Sequence, residues 1–146
     1  MKVSIASDHA GFEQKQLLAA YLVECGHEVI DRGPQSADRV DYPDFAVLVG
    51  EDVAAGTAQR GVLVCGTGIG MAIAACKVNG VRAANIVSTE FAALCREHND
   101  ANVITLSGRF VSLEDNKAIL DTFFATEFGG GRHTGRVQKI MDIESK

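Results

Sequence analysis

In the stretch GVLVCGTGIGMAIAACK, Gly61 to Lys77, an apolar run ends at Cys65 and a glycine-rich run begins. Gly66, Gly68 and Gly70 let the backbone approach a ligand closely and take up dihedrals that other residues avoid. The amides of this loop, including that of Ile69, stand at the start of a helical pattern, where unpaired N–H groups favour negative charge. A thiol among such donors is placed to act as a thiolate. The junction thus pairs a base with donors for an oxyanion. The plainer alternative makes Cys65 a small buried residue and the glycines an aid to tight strand–helix packing.

Three familiar loops can be tested against these residues. A nucleoside-triphosphate loop ends in Gly-Lys-Ser/Thr, but Gly70 is followed by Met71 and Ala72. A dinucleotide fingerprint finds Gly66 and Gly68 but Met71 at its third glycine; Glu90, about twenty residues on, keeps that reading open. A cysteine-phosphatase loop needs an arginine six places after Cys65, and Met71 stands there too.

Other side chains suit a phosphorylated ligand. Arg132 and Arg136 are four apart and share one helical face, so they can grip one anion, and a glycine turn, Gly129–Gly131, precedes them. His98 ends a helical pattern in REHND; an imidazole there can simply meet the last carbonyls, or can titrate near neutrality as an acid–base group. Asp8 and His9 follow the first strand, where Asp8 could cap the next helix. His27 and His133 receive no role. Cys25, Cys65, Cys76 and Cys95 form no CxxC pair, so neither a disulfide nor a zinc site is expected.

The elements that must carry these groups alternate. Strands are expected at Lys2–Ser7, 27–33, 60–66, 81–88 and 101–108. Helices are expected at 12–26, 44–56, 69–80, 89–99 and 112–128, with a last one after the glycine turn. GVLVC lacks period-two alternation, as in a strand buried on both faces. Ser112 followed by Asp115 resembles a capping box. Short connections between alternating elements imply right-handed βαβ units. The expected fold is α/β, one domain over residues 1–146: a three-layer αβα sandwich, Rossmann-like, with a five-stranded parallel sheet, helices on both faces and a C-terminal helix. Ligands of such sheets sit at the carboxyl ends of the strands, so Asp8, Cys65, Ser88 and Gly108 are expected along one edge.

The chain is long enough at 146 residues to bury a core unaided. Its net charge of −5 argues against a general nucleic-acid or anionic-membrane surface. No apolar run has membrane-spanning length and no basic start leads into a signal core, so a cytoplasmic address is expected.

Five collinear motifs, SDHAGF (7–12), VDYPDFA (40–46), CGTGIGMAIAACK (65–77), REHNDANV (96–103) and GGGRHTGRV (129–137), resemble type B ribose-5-phosphate isomerase, within a wider family that includes galactose-6-phosphate isomerase subunits. The resemblance implies an aldose–ketose isomerase working through an enediolate, with no metal or organic cofactor. It implies Cys65 as the base, Gly66, Gly68, Ile69 and Gly70 as the oxyanion loop, and Thr67 as the hydroxyl that moves protons between the sugar oxygens. His98 would open the sugar ring, and Asn99 would donate to the enediolate. Asp8 and His9 would bind hydroxyls and the phosphate end, with Tyr42 lining the pocket. Arg132, Arg136 and Arg109 would hold the phosphate. It further implies a homodimer, or a tetramer built from one, whose sites combine two chains, with His98, Asn99 and Arg109 opposite Cys65. Galactose-6-phosphate isomerase subunits tend to lack the cysteine, which favours the ribose-phosphate branch, with allose 6-phosphate, galactose 6-phosphate or a tetrose phosphate as the alternative substrates. A non-catalytic anion- or nucleotide-binding module and a thiol redox protein are the competing classes. The redox reading lacks a nearby resolving cysteine, because Cys76 falls on the following helix.

Overall fold

A computed structural model describes all residues, Met1–Lys146. In chain order the elements are β1 (Lys2–Ser7), α1 (Phe12–Glu24), β2 (Glu28–Asp31), α2 (Tyr42–Ala54), β3 (Arg60–Cys65) and α3 (Ile69–Ala75). They continue with β4 (Ala83–Asn85), α4 (Thr89–Asn99), β5 (Val103–Ser107), α5 (Leu113–Ala125) and α6 (Arg132–Asp142). A single 3₁₀ turn, Ile143–Ser145, ends the chain.

The five strands are all parallel, in the order β2-β1-β3-β5-β4. The expected three-layer sandwich is therefore the observed one. Val3, Ile5, Val62, Val64, Ile104 and Leu106 point to one face, under Leu18, Leu22, Ala92, Ile119, Leu120 and Phe123 of α1, α4 and α5. Ala6, Leu63, Cys65 and Val103 point to the other, under Ala46, Val49, Met71 and Ala75 of α2 and α3. β3 is central and buried on both faces, which is why its sequence does not alternate.

Several boundaries differ from expectation. α2 starts at Tyr42 rather than Asp44, with Pro43 in the first turn, where its missing N–H costs nothing. α3 stops at Ala75 because Lys77 and Val78 donate to Ala74 and Ala75, three residues back, and so tighten the chain into a turn. The fourth strand shrinks to three residues: it is an edge strand, and beyond Ile86, whose N–H still reaches Thr105 O, the chain leaves for the cap of α4. Ser88 Oγ accepts from Phe91 N–H there, so Ser88 is a helix cap, as Ser112 is for α5.

The chain leaves β1 for β2 on one side, then returns to β3 on the other. The switch in strand order therefore lies between β1 and β3, and the crevice there opens beside Asp8 and Cys65. No helix is long and apolar enough to cross a membrane.

Candidate active site

The crevice at the switch point is a cavity of about 490 Å³, lined by Asp8, His9, Tyr42, Cys65, Gly66, Thr67, Ile69, Gly70 and Arg109 among others. Cys65 is buried, and its Sγ accepts from Gly68 N–H at 3.1 Å. Gly68 has φ +84°, and a Cβ there would meet Asn85 and the Leu106 backbone, so this turn requires glycine twice over. At Gly70 a Cβ would stand 2.7 Å from the Tyr42 ring, so Tyr42 lies directly on the start of α3. Thr67 is exposed, and its Oγ1 accepts from Ile69 N–H at 3.2 Å.

The neighbouring strand β5 holds this loop from beneath. Thr105 Oγ1 donates to Gly68 O at 2.8 Å, and Ser107 Oγ donates to Gly66 O at 2.7 Å. Gly108 and Arg109 N–H donate to Cys65 O and Gly66 O. Nothing in the sequence marked Thr105 and Ser107; their only signal was two hydroxyls on an otherwise apolar buried strand. Asp8 does not cap α1. Its Oδ1 accepts from Gly11 N–H at 3.0 Å and so bends the chain between β1 and α1. Nδ1 of His9 accepts from Val40 N–H at 3.3 Å, which ties the 32–41 loop to the cavity wall.

That loop has a second anchor in Lys15, which is fully buried. Its Nζ donates to Asp31 at 2.9 Å and to Pro34 O at 3.1 Å. A buried ammonium needs such a partner, because its desolvation alone is strongly unfavourable.

A second cavity, about 260 Å³, is lined by His98, Asn99, Arg132, His133, Arg136, Val137 and Ile140. It shares no residue with the first. Arg132 and Arg136 do fall on one side of α6, as their spacing implied. α4 runs back from the carboxyl edge of the sheet towards the start of β5, so its last residues lie at the amino edge. His98 and Asn99 are thus separated from Cys65 by the length of a strand, roughly 15 Å.

Charge fixes the end of α4. Asp100 takes a left-handed conformation with φ 48° and caps the helix. Its carboxylate bridges Arg96, at 2.8 Å, and Arg82, at 3.1 Å. Arg96 is buried and also donates to Ala101 O at 2.7 Å and Thr126 O at 3.2 Å. Gly129 N–H donates to Glu97 O at 2.9 Å, which moors the glycine turn and hence α6 to α4. None of this network was evident from the sequence.

One expectation is corrected. Arg109 was expected opposite Cys65, with His98 and Asn99. It follows β5 at a strand end, its guanidinium lies against Gly66, and it lines the same cavity as Cys65. Ser88 caps α4 and does not line that cavity. All four cysteines are free; Cys76 Sγ accepts from Ala83 N–H and does not face Cys65's pocket. No cluster of three or more His, Cys, Asp or Glu side chains could hold a metal ion.

Fold and cavities together define a Rossmann-like α/β protein with a thiol and a glycine loop at its switch point and a separate pocket lined by two arginines and two histidines. Comparison with known proteins specifies the class. The family model described as Ribose/Galactose Isomerase matches residues 3–140. Ribose-5-phosphate isomerase B of Escherichia coli is 44% identical, over 99% of this chain and 97% of that protein. The structure of Clostridium thermocellum ribose-5-phosphate isomerase B superposes with a TM-score of 0.98 at 48% identity, covering 99% of this chain and 98% of that one. The Mycoplasma genitalium ribose-5-phosphate isomerase B structure, with bound ribulose-5-phosphate, gives 0.95 at 44% identity, covering 99% and 97%. The chain belongs to the ribose/galactose isomerase family. It is accordingly an enzyme, an aldose–ketose isomerase of sugar phosphates.

Proposed function

We propose that the enzyme interconverts ribose 5-phosphate and ribulose 5-phosphate, with Cys65 as the base. The observation that carries this reading is the buried Cys65 sulfur at the head of the glycine loop, in a chain whose relative from Mycoplasma genitalium is seen with ribulose-5-phosphate. Cys65 takes the proton from C2 of the open-chain aldose. The electrons of that C–H bond form the C1–C2 double bond, and charge develops on the carbonyl oxygen. Backbone N–H groups at the start of α3 face that charge. Thr67 carries the proton of the C2 hydroxyl to O1, and the proton held by Cys65 returns to C1. Every atom of the aldose reappears in the ketose, and no cofactor enters.

Ring opening and phosphate binding fall to the second cavity. His98 exchanges protons with the cyclic sugar, Asn99 donates to the enediolate, and Arg132 and Arg136 clamp the phosphate. Arg109, with Asp8, His9 and Tyr42, completes the binding wall on the Cys65 side. Because the cavities of one chain lie a strand length apart, one small sugar phosphate meets both only if a second copy supplies the His98 cavity. The working enzyme is then a homodimer whose sites are shared. Exposed Ile69 and Ile73 on α3 and Phe91 on α4 offer apolar surface for that contact.

The test is a panel of pentose, hexose and tetrose phosphates compared by kcat/KM. Ribose 5-phosphate should lead. A higher value for allose 6-phosphate or galactose 6-phosphate would overturn the substrate assignment. Absence of turnover on the whole panel would overturn the catalytic one.

A further inference from the structure

The second cavity contains one titratable side chain that the mechanism leaves unused. His133, on the first turn of α6, stacks on His98 with ring centroids 4.5 Å apart and planes 17° from parallel. Burial holds His133 below the ordinary imidazole range, and the neighbouring His98, Arg132 and Arg136 add to the effect. Among these neighbours Glu97 alone opposes it. The fixed positive charge comes from α6, with Arg132 and Arg136 beside His133, while α4 contributes the Glu97 carboxylate with His98 and Asn99. Gly129–Gly131, which leads from α5 into α6 and is bonded to Glu97 O of α4, adds no charge.

We propose that His133 is the positioning residue of His98: its ring fixes the plane of the His98 imidazole for ring opening and makes the proton on His98 answer to the anion between Arg132 and Arg136. The inference rests on His98 being the ring-opening group. A planar side chain packed face to face at this distance leaves its neighbour little freedom to rotate about its ring torsion. Two imidazolium rings so stacked repel each other, so the pair resists holding two protons. A phosphate dianion beside Arg132 and Arg136 offsets that repulsion and lets the pair take up a proton. The acid needed at the ring oxygen is then recruited with the substrate's own phosphate.

Three variants of the whole enzyme test this. His133→Ala removes both the stacking ring and its charge. It should lower kcat on ribose 5-phosphate about tenfold, while solvent hydrogen exchange into open-chain ribulose 5-phosphate stays within about twofold of wild type. His133→Phe keeps a flat ring and should recover most of kcat. In His133→Phe the NMR titration of His98 should lose its second, low-pH step and its midpoint should move, because the coupled imidazole is gone. In wild type, inorganic phosphate should raise the same midpoint. Equal losses on both sugars, a His133→Phe as impaired as His133→Ala, or a His98 midpoint that ignores both the variant and phosphate would each overturn the inference. His98→Asn separates the two layers of argument. Wild-type turnover of ribose 5-phosphate by that variant would sink the ring-opening reading and this inference with it. A strong loss there, with silent His133 variants, would sink this inference alone.

Discussion

Around Cys65 all the proposed functional groups but Tyr42, which starts α2, hang from the carboxyl end of a strand or from the loop just beyond it: Asp8 and His9 after β1, Cys65 and Thr67 at and after β3, Arg109 after β5. Around His98 every group hangs from a helix, at the end of α4 or along the first turns of α6. The first region is set by the sheet. Its loop is pinned by Thr105 and Ser107 on the adjacent strand, and its sulfur receives a backbone N–H. The second is set by charge, through Asp100 held between Arg82 and Arg96 and through one backbone bond to the glycine turn. A proton-transfer base, the role proposed for Cys65, must sit to within a fraction of an ångström, and strand ends in a packed core supply that. A phosphate clamp, the role proposed for Arg132 and Arg136, tolerates more play, and surface helices held by ion pairs provide enough. The division teaches where damage should be catalytic and where it should be graded.

The largest effect is expected at Cys65. Cys65→Ala should lower kcat by about three powers of ten or more, since general base catalysis contributes up to roughly 10⁴-fold. Ribulose 5-phosphate should still bind within a few-fold of wild type, because the arginines are untouched. Calorimetric titration checks the binding and a coupled assay the rate. Near-normal turnover would break the comparison at its first term.

Arg136→Ala comes next. A charge-assisted hydrogen bond is worth about 1.5–3 kcal/mol, so kcat/KM should fall by about one to two powers of ten. Arg136→Lys should recover only part of this, for want of the planar fork. Unphosphorylated ribose should be turned over equally poorly by wild type and Arg136→Ala. An equal loss on ribose would make Arg136 a shaper of the pocket rather than a phosphate ligand.

Asp100→Asn sharpens the contrast between the regions. Asn also tolerates the left-handed backbone, so the variant removes the charge and keeps the turn. Its cost should be about 1–3 kcal/mol of stability and a several-fold rise in KM. The rate of Cys65 alkylation should stay at the wild-type value. A changed alkylation rate would mean that the two regions are coupled within one chain.

The smallest effect on turnover is expected at Asp52, which belongs to neither cavity. Arg32 holds its carboxyl below the usual range, helped by the Ser4 hydroxyl at 2.7 Å. That stabilisation is present above the unfolded value near pH 4 and is lost as pH falls through the lower folded value. Thermal melts below about pH 4 should therefore fall less steeply for Asp52→Asn, with kcat at neutral pH unchanged.

The contrast also explains what the sequence could and could not reveal. Strand–helix alternation is enough to put Asp8 and Cys65 at one edge, because residues that follow strands in a parallel sheet all emerge on the same side. The same rule puts Arg109 there, against the expectation carried by resemblance, and sends His98, at the end of a returning helix, to the far edge. The bonds of Thr105 and Ser107 to the glycine loop and of Arg82 to Asp100 stayed invisible because these partners are 18 to 41 residues apart, and no local pattern records such a pairing. α3 and β4 came out short because a tight turn and an edge position override the propensity of their flanks.

The most direct test of the shared site is a hybrid of two inactive variants. Cys65→Ala and His98→Asn chains are mixed, dissociated and reassociated in equal amounts. If each site takes Cys65 from one chain and His98 from its partner, half the dimers are mixed and each carries one intact site, so about a quarter of wild-type specific activity on ribose 5-phosphate should return. If both residues serve within a single chain, every site keeps one lesion, and the mixture would stay as inactive as its parents.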